Sequence, residues 1–212
     1  MKYRAVVFDF DGTIIDTEQH LYDVINEHLS AHQKAPISLD FYRQSIGGAA
    51  LDLHRYLEEE IGEDATLKLY EDHHQKSKAL PMIENIRKLM DKLEKAQIPM
   101  AIATSSSINN IRPALEHLNL VERVQVIVGR EDVEEVKPAP DLYLTAVQQL
   151  NLNPVSCLAI EDSVNGATAA QLAGLGVIVN TNVMTEAMDF STLDLEAMNV
   201  SADTIIERYF KS

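Results

Sequence analysis

Basic residues are scarce in this sequence: 18 Lys and Arg stand against 33 Asp and Glu in 212 residues, a formal net charge of −15. A nucleic-acid groove needs clustered Lys and Arg, so no nucleic-acid partner is expected. Acidity is compatible with divalent cations, although most of this charge must be solvated surface. The single cysteine, Cys157, leaves nothing for an internal disulfide. It lies in the apolar run Ser156-Cys157-Leu158-Ala159-Ile160, where a buried core thiol is expected. No apolar run approaches the length of a membrane span, so no membrane partner is expected. The run from Met1 to Phe8 is too short for a signal peptide and meets acids at once, which makes the cytoplasm the expected address. Internal repeats, low-complexity tracts and flexible linkers are also missing.

What is present is an ordinary globular composition, 46% hydrophobic and 24% charged, which argues against broad disorder. The length suits one large domain or one domain carrying an insert. Short continuous apolar runs, Tyr3 to Phe8, Pro99 to Ala103, Val124 to Val128, Cys157 to Ile160 and Val177 to Val179, read as strands buried on both faces. Helical patterns follow at Ile108 to Leu118, Asp141 to Leu150 and Val164 to Ala173. This alternation predicts an α/β domain with a doubly wound parallel sheet. From Thr17 to Ala79 the periodicity is helical throughout: Leu21, Val24, Ile25, His28 and Leu29 form one face, and Leu53, Tyr56, Leu57 and Ile61 another. Ala35-Pro36, Gly47-Gly48 and Gly62 mark loops, and Pro81 punctuates the end. The expectation is a core of residues 1–15 plus 82–212, with an all-helical block, 16–81, inserted over the carboxyl ends of the strands.

The densest chemical signal is Asp9-Phe10-Asp11-Gly12-Thr13, directly after the first strand. Alternate residues of an extended chain share a face, so both carboxylates can enter one site, Gly12 permits a tight turn and Thr13 offers a hydroxyl. Two acids suit phosphoryl transfer through a covalent intermediate, one attacking phosphorus and the other handling the proton of the leaving oxygen. A polar turn after a strand is the plainer alternative.

These five residues resemble the first motif of the haloacid dehalogenase superfamily, and Asp16-Thr17-Glu18 resembles its continuation. Three later segments extend the likeness in order. Thr104-Ser105-Ser106-Ser107 follows the second strand and precedes a helix, a setting in which hydroxyls and free N–H groups hold a phosphoryl group. Thr104 matches the family's second-motif hydroxyl, with Ser105 and Ser106 as further contacts. Lys137 in Val136-Lys137-Pro138-Ala139-Pro140-Asp141 matches the third-motif lysine, held by a stiff backbone. Ile160-Glu161-Asp162-Ser163 ends a strand where the family places its metal-binding acids, and hard oxygen ligands suit Mg²⁺. The small residues Gly166, Ala167, Ala169, Ala170, Ala173 and Gly174 resemble the helix packed beside that site.

The resemblance covers essentially the whole chain. It implies a Rossmann-like core with an inserted helical cap, and an Mg²⁺-dependent phosphatase acting on a small-molecule phosphate ester of the sugar-phosphate kind. In that reading Asp9 is the nucleophile, Asp11 the acid and base, and Thr104 and Lys137 stabilise charge. Gly12, Thr13, Ser105, Ser106, Gly47 and Gly48 bind phosphate or substrate. The metal set is drawn from Asp9, Asp11, Glu161 and Asp162, with the Phe10 carbonyl, and a monomer is the default for this type. Asp11 favours phosphate chemistry over dehalogenation, which has no leaving oxygen to protonate.

The pattern is also similar to β-phosphoglucomutase, which is the alternative. Mutases of that type carry an arginine on the first cap loop and a histidine shortly after the first motif. Here the loop reads Gly47-Gly48-Ala49-Ala50-Leu51-Asp52, and Leu21 takes the histidine's place with His20 one position early. Arg43 and Arg55 are the substitutes within reach in sequence. A lysine Schiff base is disfavoured because Gly47 to His54 has no lysine. A catalytically silent binding protein on the same fold is a further alternative, against which the four intact motif residues argue. His28 and His32 have the spacing of a helical metal pair but no third ligand. His73-His74 read as surface, Glu58-Glu59-Glu60 as a solvated face, Met184, Met188 and Met198 as packing residues, and Tyr22, Gln44 and His54 as potential substrate contacts.

Overall fold

The computed structural model of the chain describes residues 1–211. Six strands form one parallel sheet: β1 (Ala5–Phe8), β2 (Met100–Ala103), β3 (Val126–Val128), β4 (Cys157–Glu161), β5 (Gly176–Val179) and β6 (Ala197–Met198). Their order is β3-β2-β1-β4-β5-β6. The five expected strands are present, each trimmed or extended by one or two residues. The sixth, two residues pairing Ala197 with Ile178 and Met198 with Val179, is too short for periodicity to reveal.

β1 explains the double winding. Val6, Phe8 and Phe10 project to one face, packing with α5 (Glu84–Lys95), α6 (Ile108–His117) and α10 (Ala202–Ile205). Ala5 and Val7 project to the other, against α8 (Asp141–Gln149) and α9 (Val164–Leu172). Both faces are covered, so the strands read as unbroken apolar runs instead of alternating ones. The short α7 (Leu120–Arg123) leads into β3.

Between β1 and α5 lie α1 (Thr17–Ala31), α2 (Leu39–Arg43), α3 (Leu51–Ile61) and α4 (Glu63–Ser77), with no strand among them. Val24, Ile25 and Leu29 of α1 pack with Tyr42, Leu53, Leu57 and Leu69 in a separate apolar cluster. Core-side Met184 is buried in that cluster and Met188 packs on it, so the helical layer is seated on the sheet domain. Polar contacts add to the seat: Ser105 Oγ donates to the Gly47 carbonyl (3.1 Å) and Asn165 Nδ2 to the Ile46 carbonyl (2.8 Å). No helix among the described residues is long and apolar enough to cross a membrane.

Candidate active site

In this sheet β1 connects to β2 on one side and lies beside β4 on the other, so its carboxyl end is the switch point where open α/β sheets bind ligands. Phe8 pairs with Ile160, and the Asp9 amide continues the ladder to the Ile160 carbonyl (3.0 Å). That register sets Asp9 beside Glu161. Both follow the alternation that carries Ala5, Val7, Cys157 and Ala159 to the α8–α9 face. Lys137, just before α8, extends into the same space and is 1% exposed. Its ammonium donates to Asp9 and, at 2.7 Å, to Glu161 Oε1. Tyr143 of α8 donates its hydroxyl to the same Glu161 oxygen, while the Asp162 amide reaches Oε2 (3.2 Å).

Asp162 follows directly and is buried. Asn182 Nδ2 donates to its Oδ2 (2.8 Å) and to the Gly12 carbonyl (3.1 Å), and Thr13 Oγ1 stands 3.5 Å from Oδ1. Gly12 has φ +81°, and its Cα faces Asp162 so closely that a side chain at 12 has no room. Thr13 and Gly12 therefore support Asp162, and neither lines the cavity that Asp9 and Asp11 share.

Asp9, Glu161 and Asp162 present carboxylate oxygens all within 4.8 Å of one another. Burial is the main influence on Asp9 and Asp162 and raises both, with neighbouring carboxylates adding to it. Lys137 draws Asp9 down. Burial opposes the charge on Lys137 itself, but Asp9 and Glu161 outweigh it and hold the ammonium protonated. Of these three buried acids two, Asp9 and Glu161, share the buried ammonium, and a divalent cation of the hard type fits the remaining charge and the all-oxygen donor set. Asp11 lies outside this group. Its carboxylate accepts from Thr17 Oγ1 (2.8 Å), Ser106 Oγ (2.7 Å) and Thr104 Oγ1 (3.4 Å). The Ser106 amide in turn donates to Thr104 Oγ1 (3.0 Å).

Asp9, Asp11, Thr104, Ser105, Ser106, Gly47 and Gly48 all line one cavity of about 430 Å³ between the strand ends and the helical layer, a volume ordinary for small-molecule sites, which run about 300–1,000 Å³. Several of its walls were not foreseen. Glu18, 9% exposed, lines it and accepts from the Tyr42 hydroxyl (2.7 Å). Burial pushes the Glu18 carboxyl up to about 8, with Asp11 and Asp9 adding to the rise. The Asp16-Thr17-Glu18 segment was the available signal, but nothing local says that Glu18 turns inward. His73 and His74 also line the cavity, which corrects their reading as surface. His73 is buried, and its Nδ1 lies 2.9 Å from His20 Nδ1. Burial pulls His73 down to about 3, with the neighbouring histidines adding to it. Of the proposed contacts His54 reaches the cavity, whereas Gln44 lines another and Tyr22 donates to the Ile37 carbonyl.

Other residues fall where expected or nearby. His28 pairs with Asp72 (3.1 Å) and His32 with the His28 carbonyl, so they form no metal pair. Glu60 pairs with Lys34 and Glu58 with His54. Cys157 is buried and free, its thiol pushed up to about 11 by burial.

Residues 6–180 match the family described as haloacid dehalogenase-like hydrolase. The chain is 34% identical over 203 residues to the protein named "Putative phosphatase YhcW" of Bacillus subtilis (strain 168), covering 92% of each. It is 28% identical over 189 residues to the phosphorylated carbohydrates phosphatase of Thermotoga maritima, covering 84% of this chain and 87% of that one. Among solved structures, a mutant of CbbY from Rhodobacter sphaeroides in complex with xylulose-(1,5)bisphosphate superposes with a TM-score of 0.78 at 26% identity. The alignment covers 94% of this chain and 95% of that one.

Proposed function

This chain belongs to the haloacid dehalogenase-like hydrolases, and we propose that within the family it is an Mg²⁺-dependent phosphatase. Its substrate is a small phosphorylated metabolite of the sugar-phosphate kind, hydrolysed through a phosphorylated Asp9. One observation carries this reading. Asp9 and Asp11 are two residues apart, yet Asp9 is bound to a buried ammonium whereas Asp11 is bound only to hydroxyls. Lys137 favours the ionised form of Asp9, the form that attacks phosphorus. Asp11 faces the same cavity among groups that can accept or donate, so it protonates the leaving oxygen and then takes a proton from the hydrolytic water. Thr104 and the Ser105–Ser106 turn hold the phosphoryl oxygens.

Asp9 and Asp162 would hold Mg²⁺, which when bound supplies positive charge to screen the phosphoryl oxygens from the buried acids; the Phe10 carbonyl, expected beside them, instead accepts from the Ile14 (2.9 Å) and Ile15 (3.3 Å) amides. Glu161 already has donors on both oxygens, so its proposed part is to hold Lys137. Residues 16–81 act as the cap and 1–15 plus 82–212 as the core, the small molecule lying between them.

The cap also supports hydrolysis over mutase chemistry. Arg43 is tied to the Met184 carbonyl (2.9 Å) and Asp40, and Arg55 stands near Asp52 (3.7 Å). Neither lines the cavity, so neither stands in for the missing loop arginine. The test is a panel of phosphorylated metabolites assayed for phosphate release with Mg²⁺, for the wild type and Asp9→Asn. β-Glucose 1-phosphate with a glucose 1,6-bisphosphate primer is included, with coupled detection of glucose 6-phosphate. Full activity in Asp9→Asn removes the nucleophile assignment, and isomerisation outrunning phosphate release reverses the choice against the mutase.

A further inference from the structure

The cavity's charged lining is mixed in sign. Asp9, Asp11 and Glu18 line it, and so does Arg130, the sole Arg or Lys among the described residues to do so. In a chain so short of cations, most Lys and Arg side chains sit beside a carboxylate. Arg130 does not: among the described residues its guanidinium makes no ion pair. The acids that follow it in sequence are occupied elsewhere. Glu131 accepts from the Ile108 amide at the start of α6 (2.9 Å), and Asp132 accepts from the Gly129 amide (2.9 Å).

The backbone fixes Arg130 beside the phosphate loop, since its amide donates to the Ser106 carbonyl (3.1 Å). Tyr70 and His54 line the same cavity, their rings 5.7 Å apart, and His54 is tied to Glu58 (3.2 Å). Burial raises the Tyr70 phenol to about 12, and Arg130 is close enough to draw it partly back down. A side chain that is exposed, cationic and without a carboxylate, on the wall of a cavity whose floor takes a phosphate, presents donors to a second anion.

We propose that Arg130 binds a second anionic group, a carboxylate or phosphate, on the alcohol portion of the substrate. This rests on the phosphatase reading and narrows it to metabolites bearing two anionic ends. A planar guanidinium presents paired N–H donors that match carboxylate and phosphate oxygens. It lies on the core side of the cavity, not on the cap loop where mutases carry their arginine, so the remote end is recognised by the same rigid body that performs the chemistry.

The test compares matched pairs: glycerol 3-phosphate with 3-phosphoglycerate, and fructose 6-phosphate with fructose 1,6-bisphosphate. In at least one pair the wild type should favour the second member in kcat/KM by about tenfold or more. Arg130→Gln should collapse that preference chiefly through KM, and Arg130→Lys should keep part of it. Calorimetric binding of the same pairs to Asp9→Asn, with and without Arg130→Gln, reads the subsite without turnover. If no substrate is hydrolysed but the second member binds tighter in an Arg130-dependent way, the hydrolase reading falls and the subsite stands. A wild type indifferent within both pairs, or an Arg130→Gln protein that keeps the preference, overturns the proposal.

Discussion

The Cα of Gly166 sits against the Glu161 carboxylate with no space for a Cβ between them. Ser163 caps α9, its hydroxyl accepting from the Gly166 amide (3.2 Å), which fixes the first turn of the helix against the acid. Gly166→Ala should therefore displace Glu161 and, through it, Lys137. Overpacking of this kind costs about 1–3 kcal/mol, to be read as a lower denaturation midpoint, and phosphate release should fall with it. An unchanged midpoint and rate would mean that Glu161 has room to retreat.

Lys137 is the one ammonium between Asp9 and Glu161. Lys137→Met leaves two buried carboxylates without it, and breaking a buried pair costs about 3–5 kcal/mol. The expected result is a strongly lowered thermal midpoint together with loss of turnover. Lys137→Met with Glu161→Gln should regain part of the stability and none of the activity, which separates the structural from the chemical part of the cluster.

Removal of divalent cation should abolish phosphate release, and Mg²⁺ should raise the thermal midpoint in a saturable manner, because it binds the folded acids. Asp162→Asn should weaken that stabilisation. A midpoint insensitive to Mg²⁺ across millimolar concentrations would remove the metal site.

Ser106 places a 2.7 Å hydrogen bond on Asp11. Ser106→Ala removes a partner that orients this carboxylate in the cavity, so kcat should fall about tenfold or more if Asp11 is the acid and base. A rate equal to the wild type's would separate the Ser106 contact from that role.

Glu18 gives a pH dependence of stability. Its folded carboxyl is raised from 4.5 to about 8 by burial, so between those values the folded state holds a proton that the unfolded state has released. The contribution is complete below about pH 4.5 and is lost as pH rises through about 8. Metal-free protein should lose thermal stability across that window, and Glu18→Gln should flatten the slope. Equal slopes would mean that Glu18 is ionised in the fold.

Much of the site was legible because its residues sit at strand ends. Asp9, Thr104 and Asp162 each follow an apolar run whose continuity announces a strand buried on both faces, and the turn after such a strand must place polar side chains at the sheet's edge. Lys137 was legible through the stiff prolines beside it. Glu18, Thr17, His73, Tyr143 and Asn182 were not, for a common reason. Four lie on helices, where a polar residue on an apolar face looks the same whether it meets solvent or a cavity, and Asn182 lies in a loop 20 residues beyond its partner Asp162. His73 shows the consequence: adjacent histidines on a helix read as surface until α1 brings His20 against His73.

Local periodicity and turn chemistry settle the alternation of strands and helices, the helical insertion and the order of the acids, hydroxyl and lysine. Which acids share Lys137, which one keeps hydroxyl partners, and that Arg130 lines the cavity without a carboxylate come from the folded arrangement alone. Those outcomes depend on strand register and on the seating of the helical layer, which bring together residues far apart in the chain and remove them from water.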